Sequence, residues 1–175
     1  PDPRLKAVIA FAPWGMNYGV WNQSTLKEVK VPMLLVAGSV DDVSGYNKGV
    51  RAIWQGITSV DRALLTFNNA NHSAGAPMPA PKESYVYDKT LGFNISEHYT
   101  DAVWDSVRMN NVSQHFATAW LEKYLKSNAD MDNYLNLETN SNDGIWSKDD
   151  KGQSLADQDH LCMLYNSEAN DQKGI

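Results

Sequence analysis

The chain holds a single cysteine, Cys162, which excludes any disulfide within it and leaves the redox compartment open. Lysines and arginines number 15 against 21 aspartates and glutamates, a net charge of −6. A nucleic-acid face needs clustered cations to neutralise phosphates, so that class of partner is excluded. No apolar run approaches the ~18 residues of a membrane helix. No charged-then-apolar leader opens the chain. A soluble protein, secreted or cytoplasmic, is expected. His98, His115 and His160 lack a second ligand at helix or finger spacing, so neither a metal nor a cofactor is expected.

The most consequential absence is a nucleophile. Gly152-Gln-Ser154-Leu-Ala156 resembles a G-x-S-x-G elbow only loosely, because no buried strand precedes it to strain the serine into view. Cys162 sits in an apolar run without a nearby base and reads as a small buried hydrophobe. Ser39 and Ser44 read as turn and cap residues.

What is present is a core-forming composition. The 175 residues suffice for one domain, and 42% of them are hydrophobic, with six Trp and eight Tyr. Leu5–Ala12, Val31–Gly38 and Ala63–Phe67 are short apolar runs bounded by turn residues, which predicts three buried strands. Residues 16–30 read as a polar loop. Gly45–Ile57 has helical spacing, with Ser44 as N-cap. Strand, helix and strand at this spacing predict a parallel pair joined by a crossover, in a sheet covered on both faces. Residues 73–104 read as a long loop of the kind that forms lids or binding surfaces. A helix is predicted over 105–126, capped by Asp105. Its stripe is Val112, Phe116, Trp120 and Tyr124, widened by Ala117, Leu121 and Leu125. Residues 128–175 form a polar extension, in which Gly144–Trp146 and Leu161–Tyr165 read as a short hairpin.

Two residues carry the chemistry. Asp41 and His72 each follow the carboxyl end of a predicted strand, where open parallel sheets hold their ligands. An acid there can hold an imidazole in one tautomer, and the imidazole can serve as a general base. Taken singly, Asp41-Asp42 is an ordinary solvated turn, and His72 is a turn residue in Asn68-Asn-Ala-Asn-His72. Taken together, their order and strand context point to a hydrolase acid and base. Gly38-Ser-Val-Asp41 favours Asp41 over Asp42 as the acid. Trp14, with Tyr18 and Trp21, is a candidate substrate wall or, equally, core packing. Arg108 and Asn111 read either as a solvated face or as a pin on the preceding loop. Sequons at Asn22, Asn71, Asn94 and Asn111 read as chance matches in an Asn-rich chain.

Ala10–Trp14, Val31–Asp41 and Asn69–His72 together resemble the second half of α/β-hydrolases of the dienelactone-hydrolase and polyester-hydrolase (cutinase-like) kind. Tyr99–Leu125 resembles the closing helix of bacterial dienelactone hydrolases. The resemblance covers roughly residues 4–126. It implies that Asp41 is a triad acid, His72 a triad base and Trp14 a substrate contact. It also implies that strands one to five, the Ser or Cys nucleophile and the oxyanion-hole amides precede Pro1. The opening Pro1-Asp2-Pro3-Arg4 turn fits a truncated or cleaved chain.

The expected fold is therefore α/β: the carboxyl-terminal part of an α/β-hydrolase over residues 1–127, with about three parallel strands, a crossover helix and a long closing helix. The expected activity is that of an ester hydrolase acting on a small ester, inactive as this chain alone. The expected partner is the amino-terminal fragment of the same precursor, or another copy of the chain, beside the exposed first strand. The alternatives are a non-catalytic binding module using the 73–104 loop, or an inert fragment. A hydrogen-bond distance between Asp41 and His72 separates the enzymatic reading from the binding module.

Overall fold

The computed structural model describes residues 2–75, 78–135 and 161–165. Its centre is a sheet of four strands: β1 (Val8–Phe11), β2 (Met33–Gly38), β3 (Arg62–Phe67) and β6 (Leu161–Tyr165). The first three run parallel, with Val8 opposite Met33 and Met33 opposite Arg62. The fourth is antiparallel, its backbone placing Leu164 opposite Leu64. The three parallel strands are those expected, and an antiparallel strand is added beside them. Leu161–Tyr165 of the extension pairs with β3. Ser154, His160 and Gly144–Trp146 lie outside the described residues.

Successive side chains of a strand point to opposite faces, and here both faces are covered. Leu34, Val36, Ala63, Leu65 and Phe67 face one way, against Met109, Phe116, Ala119 and Trp120 of α3 (Ser106–Lys126). Leu35, Ala37 and Leu64 face the other way, against Val50, Ile53, Trp54 and Ile57. This explains why β2 and β3 read as continuous apolar runs. A fully buried leucine contributes about 1.5–3 kcal/mol by leaving water, and Leu34, Leu35, Leu64 and Leu65 are all fully buried.

The crossover differs from the regular helix expected over 45–57. It begins as a π-helical turn at Tyr46–Val50 and continues as α2 (Arg51–Gly56). Gly49 permits this: a Cβ there would stand 2.0 Å from the Ser44 carbonyl oxygen. Ser44 is not the N-cap. Its hydroxyl donates to the Ala12 carbonyl at 2.7 Å instead, and Gly45 starts the helix at φ 72° with no side-chain cap. The carbonyls that end α2 are capped by Arg62, whose Nη1 donates to Trp54, Gln55 and Ile57. Burial lowers the Arg62 pKa.

The polar stretch 16–30 is also more ordered than its composition suggests. It holds a 3₁₀ turn at Met16–Tyr18 and a short helix, α1 (Gln23–Leu26). Asn22 and Thr25 cap α1 reciprocally: the Thr25 N–H donates to Asn22 Oδ1 at 3.0 Å, and the Asn22 N–H to Thr25 Oγ1 at 3.3 Å. The 73–104 region contains 3₁₀ turns at Lys82–Tyr85 and Ile95–His98 and a small ribbon, β4 (Tyr87–Asp88) with β5 (Phe93–Asn94). Asp88 Oδ1 closes the ribbon turn by accepting from Thr90 and Leu91.

Asp105 caps α3, accepting from the Arg108 N–H at 2.9 Å. The buried face of α3 runs through Met109, Ser113, Phe116, Ala119 and Trp120. Leu121 and Leu125, expected to widen the stripe, are exposed. The sheet claims only one narrow face of the helix, rotated toward the Ser113 and Ala119 side. After α3, Lys123 pairs with Asp132 of α4 (Asp132–Leu135) at 2.5 Å. No described helix is long and apolar enough to cross a membrane.

Candidate active site

Asp41 and His72 lie on the two turns that leave β2 and β3 in parallel. The turns are joined by their backbones. Ser39 N–H donates to the Phe67 carbonyl at 3.0 Å, and Val40 N–H to the Ala70 carbonyl at 3.0 Å. The Ser39 hydroxyl accepts from Asn69 N–H at 2.8 Å. Only glycine fits where the turns meet. A Cβ on Gly38 would stand 2.2 Å from the Ala70 oxygen and 2.4 Å from the Asn71 oxygen. Asn69 takes a left-handed φ of 61°, a conformation that asparagine tolerates better than most residues.

The Asp41 side chain is completely buried, and its Oδ1 accepts from the amides of Val43 (2.9 Å) and Ser44 (2.8 Å). His72 Nδ1 lies 3.1 Å from Oδ2 and 3.2 Å from Oδ1 of Asp41. A buried carboxylate that already accepts two amides favours a proton on Nδ1 of the facing ring, which leaves the Nε2 lone pair outward. The imidazole is 42% exposed, and Nε2 takes no partner among the described residues. The two side chains stand at hydrogen-bond distance.

Beside His72 lies a cavity of about 600 Å³. Its walls include Phe11, Ala12, Asp42, Phe93, Glu97 and His98. Two of its hydroxyls are committed elsewhere: Ser73 donates to the Glu97 carbonyl at 3.1 Å, and Thr100 to the Ser96 carbonyl at 3.0 Å. Ala12 holds a left-handed φ of 41°, uncommon for a residue with a Cβ. It is fixed between Val36 and the Ser44 hydroxyl. Trp14 does not line this cavity; it is 51% exposed and stacks on Tyr18 at 4.6 Å. Trp21 donates to the Trp14 carbonyl. Arg108 stacks over Trp104 at 5.2 Å and so touches the end of the preceding loop, whereas Asn111 lines a separate groove against α4. No cluster of three metal-ligating side chains occurs among the described residues.

Residues 1–84 match the family model described as PETase, PET hydrolase-like. The matched residues span β1, β2 and β3 and include both Asp41 and His72. It relates this part of the chain to polyester-hydrolase-like α/β-hydrolases, and the parallel strands with helices on both faces are compatible with a partial fold of that kind. The match ends before α3, so it does not reach Tyr99–Leu125, which resembles the closing helix of bacterial dienelactone hydrolases. No curated protein matches the chain significantly.

Sequence reasoning missed the second ring of contacts. Asn71 Oδ1 accepts from the His72 N–H at 2.6 Å and the Asp42 N–H at 3.1 Å, tying the His72 turn to the Asp41 turn. The Asn71 N–H in turn donates to Asp101 at 2.7 Å. Asn71 lay in a legible turn motif. Asp101 lies far along the chain, with no spacing signal to connect it.

Proposed function

We propose that this chain supplies the acid and base of a carboxylic-ester hydrolase whose nucleophile comes from a segment outside residues 1–175. The observation that carries the reading is His72: Nδ1 stands 3.1 Å from a fully buried carboxylate, while Nε2, beside a cavity, has no partner among the described residues. In the proposed reaction the nucleophile gives its proton to Nε2 as it attacks the ester carbonyl. His72 returns that proton to the departing alcohol, and Asp41 orients the ring and stabilises the imidazolium. The similarity of residues 1–84 to PET hydrolase-like proteins supports an ester as substrate. Asp42, Glu97 and Asp101 line the cavity, a charge balance that disfavours a substrate carboxylate and favours a neutral ester. Trp14, stacked and exposed, is the proposed substrate contact outside the cavity. The dienelactone-hydrolase branch is kept only as the origin of the α3 resemblance.

The partner we propose is the amino-terminal segment of the same precursor, with a second copy of the chain as the competing occupant. β1 pairs only with β2 among the described strands, and its outer edge carries unpaired backbone groups that template a further strand. Exposed Leu5 precedes it and exposed Phe11 ends it. Residues 1–175 expressed alone, and co-expressed with the segment preceding them in the coding sequence, should be assayed on a p-nitrophenyl ester and with a fluorophosphonate probe. Hydrolysis and probe labelling by the pair, with neither by the chain alone, are expected. An inactive, unlabelled pair would overturn the hydrolase reading and leave a binding module.

A further inference from the structure

We propose that Asp101 is a positioning residue for His72, acting through the backbone of Asn71. The inference rests on the reading of His72 as a general base. The His72 ring is 42% exposed and sits on a short 3₁₀ turn, so packing alone does little to fix it. What fixes the turn is a brace from the segment before α3. Asp101 Oδ2 accepts from the Asn71 N–H at 2.7 Å, immediately before His72 in the chain. The same carboxylate is itself held: Oδ1 accepts from the N–H groups of Val103 at 2.9 Å and Trp104 at 3.0 Å.

The brace is anchored in the core. Trp104 is 3% exposed and packs edge-on against Phe67 of β3 at 5.0 Å. Its Nε1 donates to the Asn68 carbonyl at 2.8 Å. One segment thus holds the base turn at Asn68, where it leaves β3, and again at Asn71. Asn71 distributes the restraint, because its Oδ1 accepts from His72 and Asp42 together. A carboxylate accepting from a backbone amide is roughly twice as strong a restraint as a neutral acceptor. Asp101 also lines the cavity that His72 faces, so no further element separates brace from site.

The experiment reads the imidazole directly, without hydrolysis. In the wild-type chain, two-bond proton–nitrogen correlation of labelled histidine should show His72 as the Nδ1–H tautomer, with a low-field Nδ1 proton. Asp101→Ala should accelerate exchange of that proton about a hundredfold and Asp101→Asn about tenfold, as expected for loss or weakening of a charge-assisted bond. Faster exchange with an unchanged core methyl spectrum supports the brace. Unchanged exchange in a folded Asp101→Ala chain overturns it, even if the melting midpoint falls. Should Asp101→Ala not fold, Asp101→Asn decides by the same criterion. A wild-type chain without the Nδ1–H tautomer would defeat the base reading itself, whereas indifference to substitution defeats only the role of Asp101.

Discussion

The acid turn and the base turn leave adjacent strands in the same direction, yet they are stabilised in opposite ways. Asp41 is fully buried and held by amides of its own turn, those of Val43 and Ser44. His72 is 42% exposed, and its turn is held by the neighbouring Asn71, which is braced in turn by the remote Asp101. The acid is organised by local sequence and the base by tertiary contact. On the proposed reading His72 exchanges protons with a substrate, which requires access to solvent and restraints from behind the ring. A group that only orients a neighbour can be buried and self-contained.

Substitutions can break this contrast. After removal of His72 itself, the largest effect is expected from Asp41→Asn in the proposed two-segment hydrolase. An amide in that place no longer enforces the Nδ1–H tautomer, and kcat should fall about 10⁴-fold, with the chain still folded by circular dichroism. Gly38→Ala attacks both turns at once, because the added methyl meets the Ala70 and Asn71 oxygens at 2.2 and 2.4 Å. Urea denaturation should show a loss of about 3 kcal/mol or more. Leu35→Ala removes core beneath the acid turn without touching either turn and should cost about 2–5 kcal/mol by the same measurement. Trp104→Phe keeps the packed ring but deletes the bond to the Asn68 carbonyl, so a loss of about 1 kcal/mol is expected. If Trp104→Phe perturbed the Asp41 turn as much as the His72 turn in amide exchange, the bond to Asn68 would not act on the His72 turn in particular, and the contrast would fail.

The same contrast explains what was legible in the sequence. β2, β3 and the two turns after them could be read because burial on both faces demands unbroken apolar runs, and Gly38-Ser-Val-Asp41 compresses the acid site into four neighbours. Asp105 as the cap of α3 is equally local. Asp101 could not be read, since its partner Asn71 is adjacent only in the folded chain. Leu121 and Leu125 misled for a related reason: apolar spacing defines a broad stripe, and only the sheet determines which narrow part of it is buried. The Asn22–Thr25 capping box was hidden because its threonine stands where an acidic or amide side chain is usual. Ser44 had the right type and place for a cap, but the Ala12 carbonyl competes for its hydroxyl.

The most direct test of the central claim is ester hydrolysis by the assembled protein carrying His72→Ala. If His72 is the base served by Asp41, kcat should fall by about 10⁵-fold or more. Activity within a few-fold of wild type would mean that the pair is a structural contact at the sheet margin and not the machinery of a hydrolase.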